Sequence, residues 1–261
     1  MSQSLKLVVA GAGGRMGQML THVVAAHPVC TLHGAVDQSG SSMIGNEVHG
    51  VTISDDICAA MKGADGLLDF TSPEASLLHA QGCASNKQIH IIGTTGFTDE
   101  QERQLRTNTD GAVTVKAGNF SLGVNLLRAL TKQVAERLGP DFDIEITETH
   151  HKHKVDAPSG TALMLGEAAA SGRGVDLVDV SERGRDGITG ARRQGAIGFS
   201  SIRTGEVIGE HTVIFGGASE RLELTHKAND RRLFADGALV AALWARDQAP
   251  GFYDMSNVLK L

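Results

Sequence analysis

Residues 5–17 read Leu5-Lys6-Leu7-Val8-Val9-Ala10-Gly11-Ala12-Gly13-Gly14-Arg15-Met16-Gly17, an apolar run that breaks into glycines and resumes at helical spacing. Beyond the break, Met16, Leu20, Val23 and Val24 fall at i, i+4, i+7 and i+8, one face of a helix that Pro28 closes. Strand, glycine-rich turn and helix in that order open a doubly wound parallel sheet. Apolar runs over residues 31–36, 66–70, 89–93 and 112–116 repeat the theme, several nearly continuous, as strands covered by helices on both faces are. Helical stretches opened by Pro73 and Asp99, over residues 73–84 and 99–109, fit between them. The expected fold class is α/β, with a Rossmann-like dinucleotide-binding domain.

The pattern changes after Asn119. A long amphipathic helix carries Leu127, Leu130, Val134 and Leu138 on one face and stops at Gly139-Pro140; Phe142, Ile144 and Ile146 then alternate with polar residues. Runs over 195–203 and 206–215, joined at Thr204-Gly205, and then 220–226 predict an antiparallel meander. This is a smaller α+β domain with a mixed, largely antiparallel sheet. Residues 171–194, rich in Gly, Arg and Asp, read as a long mobile loop. Leu239, Val240, Leu243 and Trp244 mark a late helix whose apolar face packs back onto the first domain. The boundaries expected are 1–121 with 231–261 for the dinucleotide-binding domain and 122–230 for the other.

Composition narrows the function. With 261 residues, 41% hydrophobic and 21% charged, the chain buries a core without staples, which excludes disorder and coiled coil. No apolar run approaches the ~20 residues that span a bilayer, and the start of the chain does not read as a signal peptide. A net charge of −6 disfavours general nucleic-acid binding, so a small-molecule partner is expected. Three cysteines, Cys30, Cys58 and Cys83, without C-x-x-C spacing, fit free buried thiols in a reducing cytoplasm.

The glycines Gly11, Gly14 and Gly17 follow G-x-x-G-x-x-G, not strict G-x-G-x-x-G, because Met16 stands where the third glycine should be. A turn of this kind lets backbone N–H groups approach a pyrophosphate at the positive end of a helix; the plain alternative is a tight turn without a ligand. Asp37, 20 residues after Gly17, stands where a carboxylate holds the adenine ribose and repels a 2′-phosphate. Gln38 beside it adds no positive charge, whereas Arg15 is either a solvated arginine or a guanidinium that reaches a 2′-phosphate. NADH preference or dual use of NADH and NADPH is expected. Gly93-Thr94-Thr95-Gly96 and Ala117-Gly118-Asn119-Phe120 follow strands on the same edge, where they either flank a nicotinamide or are ordinary turns.

Between Glu148 and Ala162 lie three histidines and two lysines within five positions: His150, His151, Lys152, His153 and Lys154. Neighbouring lysines depress histidine pKa values, so such crowding is costly unless an anion, a dicarboxylate or a phosphate, binds. Pro158 and Ser159 precede a helical run over 161–170, so N–H groups near Gly160 and Thr161 are helix-start donors for that anion. The alternatives are a metal site on the histidines, which lack H-E-x-x-H spacing, a solvated basic loop, and a nucleic-acid patch without aromatics.

These segments resemble one family. GAGGRMG from Gly11, DFTSPE from Asp69, GTTG from Gly93, NFSLGVN from Asn119, HHKHKVDAPSGTA from His150 and GEHTVIF from Gly209 are similar, in order and over nearly the whole chain, to the 4-hydroxy-tetrahydrodipicolinate (dihydrodipicolinate) reductase family of bacterial lysine and diaminopimelate synthesis. The resemblance implies NAD(P)H-dependent reduction of a small cyclic dicarboxylate, 4-hydroxy-tetrahydrodipicolinate or its dehydrated form, to tetrahydrodipicolinate by a homotetramer. It implies a nucleotide domain completed by the C-terminal helix and a central domain for substrate and oligomerisation. By position, His150 is the catalytic acid/base, Lys154 the proton donor and His151 a substrate ligand, while Gly160 and Thr161 hold a substrate carboxylate. The cofactor residues implied are Gly11, Ala12, Gly13, Gly14, Arg15, Met16, Asp37, Gly93, Thr94, Thr95, Ala117, Gly118, Asn119 and Phe120. Gln38 departs from members with a basic residue there, which argues against an NADPH preference. Two other classes fit parts of the chain: a non-catalytic nucleotide sensor and a zinc-dependent hydrolase.

Overall fold

The computed structural model describes residues 4–261. In chain order it runs β1 (Leu5–Ala10), α1 (Arg15–Ala26), β2 (Cys30–Val36), β3 (Glu47–Val48), β4 (Val51–Ser54), α2 (Ile57–Ala60), β5 (Gly66–Asp69), α3 (Pro73–Ser85), β6 (Ile89–Ile92), α4 (Asp99–Asn108) and β7 (Val113–Lys116). Then come α5 (Leu122–Leu138), β8 (Asp143–His150), α6 (Gly160–Arg173), α7 (Leu177–Val180), β9 (Ser181–Glu182), β10 (Ile197–Arg203), β11 (Glu210–Gly216) and β12 (Arg221–Lys227). The chain finishes with α8 (Arg232–Ala245), β13 (Gly251–Tyr253) and α9 (Met255–Leu259). Two compact units result: residues up to Ser121 together with Arg232–Lys260, and Leu122–Arg231 with Leu261.

The first unit is built on an eight-stranded sheet ordered β13-β7-β6-β5-β1-β2-β4-β3. β1 pairs in parallel with β2 on one side and β5 on the other, so strand order reverses between β1 and β5. In such sheets ligands sit beyond the carboxyl ends of the strands at that reversal. Leu7, Val8, Val9, Leu67, Leu68, Ile91 and Ile92 are fully buried, which explains the unbroken apolar runs. Caps set the helix starts: Ser72 accepts from the Ala75 N–H ahead of Pro73, and Thr98 forms a capping box with Gln101, so α4 is capped one residue before Asp99.

The late helix α8 belongs to this unit and packs on α1. Its buried surface is mostly small, Ala235, Gly237, Ala238, Ala241, Ala242 and Ala245 with Leu239, while Val240 points outward, contrary to the expected face. Small residues let the helix approach closely. β3 and β13 escaped the sequence reading because strands of two or three residues leave no periodicity, and β4 because Val51-Thr52-Ile53-Ser54 has no continuous apolar run. Cys58 also departs from expectation, being exposed where Cys30 and Cys83 are buried.

The second unit holds a mixed five-stranded sheet ordered β12-β11-β8-β10-β9. The meander expected from sequence does not form. β10 pairs in parallel with β8, and β11 lies antiparallel on the opposite side of β8, so only β11 and β12 make a hairpin. β8 carries the most buried alternation in the unit and takes the centre, separating two strands that are neighbours in sequence. Ile144, Ile146, Phe199, Val213 and Phe215 pack against Leu127 and Ala135 of α5 and Leu165 and Ala169 of α6. The long loop expected over 171–194 forms only in part, with no helix or strand over residues 183–196. α6 continues to Arg173 and ends on left-handed Gly174, α7 and β9 follow, and Arg192 ties the segment down by donating to Asp143, Glu145 and the carbonyls of Ile144 and Ala196.

Gly237 gives a test of the close helix packing. Alanine is the better helix former by about 1 kcal/mol. Its Cβ would however stand 1.8 Å from the Phe120 carbonyl oxygen, a backbone atom with little room to yield. Overpacking of this kind costs about 1–3 kcal/mol or more. Gly237→Ala is therefore expected to lower the urea midpoint, and a raised midpoint would show that the backbone at Phe120 gives way.

Candidate active site

In the first unit the glycines of the β1–α1 turn answer to specific close approaches. A Cβ at Gly17 would stand 2.0 Å from the Gly11 carbonyl oxygen, which explains why the third glycine is needed one residue late. Gly11 itself has φ +74°, a conformation open to glycine. The Ala12 N–H donates to the Val36 carbonyl at 2.9 Å, fixing the turn to the end of β2. No side chain caps α1 at Gly14, and its first turn carries no acidic residue. The amino end thus keeps the partial positive charge that binds anions.

Asp37 is locked beside this turn. Its Oδ2 accepts from the Gly13 N–H at 3.1 Å and the Ser41 hydroxyl at 3.0 Å, while Oδ1 accepts from the Gln38 N–H at 2.8 Å. A side chain at Gly13 would collide with that carboxylate, since a Cβ there would lie 2.2 Å from Oδ2. Arg15 and Gln38 are exposed, while Ala12 is buried and Met16 half-buried. Thr94 is buried and Thr95 exposed after β6, and Gly93 packs so tightly that its Cβ would meet the Phe70 ring. After β7, Ala117 and Asn119 are half-buried and Gly118 exposed, while the Phe120 ring is buried with its centroid 5.6 Å from that of Phe70. Residues 11–14, 37–38, 93–95 and 117–120 belong to the turns following β1, β2, β6 and β7, at the carboxyl ends of the strands, and Arg15 and Met16 open α1.

In the second unit the site grows from the buried face of β8. Ile144, Ile146, Glu148 and His150 alternate along that face, so the strand's apolar row ends in two ionisable groups. The Glu148 side chain is 1% exposed and accepts from His150 Nδ1, from Arg203 Nη1 at 2.8 Å and Nη2 at 2.7 Å, and from the Ser159 N–H at 3.2 Å. Burial opposes its ionisation, but hydrogen bonds from Arg203, Ser201 and His150 overcome this and hold its pKa at about 2. An ionised carboxylate only accepts, so Nδ1 of His150 carries the proton and Nε2 is left to do chemistry. Burial pulls the His150 pKa down, against the hydrogen bond and charge of Glu148, and the charges of Lys154 and Arg203 add to the lowering.

The basic segment separates by environment. His150 is buried, His151 and Lys154 are half-buried, and Lys152 and His153 are exposed. Each lysine has an acidic partner within the chain: Lys152 meets Glu206 at 3.3 Å, and Lys154 meets Asp156 at 2.8 Å. The cation crowding is thus partly relieved without an external anion. At the start of α6, the Ser159 hydroxyl accepts from the Ala162 N–H, so one of the expected orphan donors is satisfied. Gly160 is exposed, and a Cβ there would meet nothing within 4 Å, which leaves its backbone approachable; Thr161 next to it is half-buried. His211, 4% exposed, hydrogen-bonds through Nε2 with the Ser159 hydroxyl, and its ring lies edge-on to His150 at 5.1 Å.

Glu148, Asp156, Ser159, Arg203 and His211 were given no role by the sequence. The signal for Glu148 was the period of two, which puts it on one strand face with His150; Arg203 reaches the cluster from 55 residues beyond Glu148, and His211 from 61 residues beyond His150. Among the described residues no group of three His, Cys, Asp or Glu side chains is placed to hold a metal ion, and no helix is long and apolar enough to cross a membrane.

Family models named for dihydrodipicolinate reductase match this chain, the N-terminal model over residues 5–120 and the C-terminal model over 123–259. A 4-hydroxy-tetrahydrodipicolinate reductase of Rhodopseudomonas palustris (strain BisA53) is 54% identical, covering 98% of this chain and 97% of its own. One from Roseobacter denitrificans is 52% identical, covering 100% and 99%. Among solved structures, a dipicolinate-bound dihydrodipicolinate reductase from Paenisporosarcina sp. TG-14 superimposes with a TM-score of 0.81 at 25% identity, covering 98% of this chain and 99% of that one.

The buried histidines set an acid limit on stability. Burial, and then the charge of His150, push the His211 pKa down to about 4 from 6.5. Between those values the unfolded chain binds a proton that the folded chain does not, so stability is complete above pH ~6.5 and is lost as pH falls towards ~4, by about 3 kcal/mol at most for this residue. Unfolding midpoints measured across that window are expected to fall with pH, and His211→Gln is expected to flatten the slope. An unchanged slope would show that His211 is not the group responsible.

Proposed function

The chain belongs to the dihydrodipicolinate reductase family, and we propose that its units divide that family's reaction, residues 1–121 with 231–261 binding the dinucleotide and residues 122–230 binding substrate and forming the oligomer. The protein is an NAD(P)H-dependent oxidoreductase that reduces 4-hydroxy-tetrahydrodipicolinate, or its dehydrated form, to tetrahydrodipicolinate in lysine and diaminopimelate biosynthesis. One observation carries the division of labour: the single carboxylate of Glu148 holds both His150 and the Ser159 N–H at the start of α6. An acid/base group and an anion-binding helix start are thereby fixed to each other. The dipicolinate of the Paenisporosarcina relative is a planar ring dicarboxylate, which supports a small cyclic dicarboxylate here.

The turn residues fit a dinucleotide. Gly11, Ala12, Gly13, Gly14, Arg15 and Met16 would hold its pyrophosphate at the uncapped start of α1, with Asp37 and Gln38 at the adenine ribose. Gly93, Thr94, Thr95, Ala117, Gly118, Asn119 and Phe120 would line its nicotinamide end. The reduced nicotinamide supplies a hydride when bound. The chain's own task is to orient the ring and meet the negative charge that builds on it. Backbone donors at Gly160 and Thr161 and the His151 ring hold the carboxylates of the substrate, fixing its orientation. Lys154, held 2.8 Å from Asp156, donates the proton. His150, neutral near pH 7 with Nε2 unprotonated, accepts or returns a proton at that atom while Glu148 steadies its charged form.

For the cofactor, we propose NADH preference or dual use. Asp37 is locked in place as an acceptor and Gln38 brings no cation, while exposed Arg15, at the start of α1, favours a 2′-phosphate. A homotetramer is proposed from the family, supported by the exposed apolar side chains Ile202 and Leu222 on the five-stranded sheet. A cytoplasmic setting is supported by three free thiols.

The test is oxidation of NADH and, separately, NADPH, with substrate made in situ from pyruvate and aspartate semialdehyde. Turnover is expected with NADH at a kcat/KM at least equal to that with NADPH, and Arg15→Ala is expected to depress the NADPH value more. Lys154→Ala and His150→Ala should each lose about 10²-fold or more in kcat. Rates near wild type in either variant would remove that residue from its role.

A further inference from the structure

Asp69, at the carboxyl end of β5, is a buried carboxylate outside the reaction described above, and it is fully enclosed. Its Oδ2 accepts from His79 Nδ1 of α3 at 2.9 Å and from His90 Nε2 of β6 at 3.0 Å. Its Oδ1 accepts from the Thr71 hydroxyl at 2.6 Å. Hydrogen bonds from the two histidines outweigh burial and keep the group ionised well below the usual carboxylate range. Nδ1 of His90 has no partner among the described residues, so the ring meets the cluster through Nε2 alone.

The network does not stop at the carboxylate. Thr94 Oγ1 accepts from the Thr71 N–H at 2.9 Å and from the Ser76 hydroxyl at 2.9 Å, so its own proton points to Asp69 Oδ1, 3.5 Å away. The Gly93 N–H donates to the Asp69 carbonyl at 2.8 Å. The methyl group of Thr71 stands against the glycine turn, where a Cβ on Gly11 would come within 3.3 Å of it. One buried charge therefore holds the wall beside Gly11 and the turn at Gly93–Thr95, on the two strands that flank β5.

We propose that Asp69, with His79 and His90, is a positioning residue for the dinucleotide: it fixes Thr71 and Thr94, and through them the two turns that receive the cofactor, before it binds. The inference rests on the reading of those turns as the cofactor site. A buried carboxylate that merely stabilised the fold would affect both ligands or neither, whereas a positioning role falls on the dinucleotide alone.

The experiment compares the full-length wild type with Asp69→Asn, Thr94→Val and Thr94→Ser. The readouts are NADH dissociation constants from fluorescence titration, KM for NADH and for the dicarboxylate, kcat and Tm. Asp69→Asn puts an amide donor among donors, and Thr94→Val removes the shared hydroxyl at constant shape. Each is expected to raise the NADH dissociation constant about tenfold or more, as unpaired buried donors do, with the KM of the dicarboxylate held within about twofold. Thr94→Ser, which keeps the hydroxyl, is expected to restore NADH binding. If Asp69→Asn does not fold, Thr71→Val decides by the same readouts, since it takes one donor from the Asp69 carboxylate, keeps a methyl against the glycine turn and lies outside the residues read as touching the cofactor. NADH binding unchanged in folded Asp69→Asn or in Thr94→Val overturns the proposal, as does an equal loss for both ligands. Failure of the wild type to bind NADH is a separate outcome, which removes the cofactor reading and the proposal with it.

Discussion

A carboxylate withdrawn from water must be met by donors on every side, and around Glu148 that requirement shapes the second unit. Removing one partner of such a buried charge costs several kcal/mol, so the partners are bound to one another as firmly as to the carboxylate. Arg203 comes from β10 and His150 from β8, and the parallel register that sets Arg203 opposite His150 is the one that closes the pair. Ser159 comes from the start of α6. The same guanidinium also donates to the Asp156 carbonyl at 2.6 Å, holding the segment that carries Lys154. Strand order, helix start and basic segment are thus three results of satisfying one charge.

The first unit solves a different problem, the approach of backbone to backbone. Gly17 lets α1 press on the Gly11 carbonyl, and Gly237 lets α8 press on Phe120. Gly13 leaves room for the Asp37 carboxylate. Glycine costs up to about 1 kcal/mol of helix stability relative to alanine, so its retention inside α1 and α8 means that contact, not propensity, governs there.

How much of this was legible followed from how local the determinants are. The β1 turn was readable because Gly11, Gly14 and Gly17 sit within one stretch between an apolar strand and an apolar helix face. The order of the second sheet was not, because Thr204-Gly205 looks like a hairpin turn and nothing between residues 195 and 215 reveals that β8 lies between the flanking strands. The histidine and lysine segment drew attention by its density of charge, yet which histidine is buried depends on β8 continuing its alternation up to His150. Glu148 was hidden for the same reason, since a polar residue near a strand end reads as solvated until Arg203, 55 residues later, is placed against it. Asp69 was quoted as part of a motif, but its partners His79 and His90 carried no sequence signal at all.

The central position of β8 has a dynamic meaning as well. It is hydrogen-bonded along both edges, to β10 and to β11, through to Thr149, and β10 continues as far as His150. Amides in the middle of a sheet exchange with solvent only when large parts of the fold open, so the strand that carries His150 belongs to the slowest-exchanging part of its unit. The rotational and backbone freedom of His150 is given up once, when the chain folds, and not again each time a substrate arrives. Exposed Gly160, at the first turn of α6, lies where local fluctuation is cheapest. The unit therefore holds the His150 side chain still within the sheet while the backbone beside it at Gly160 stays open to solvent.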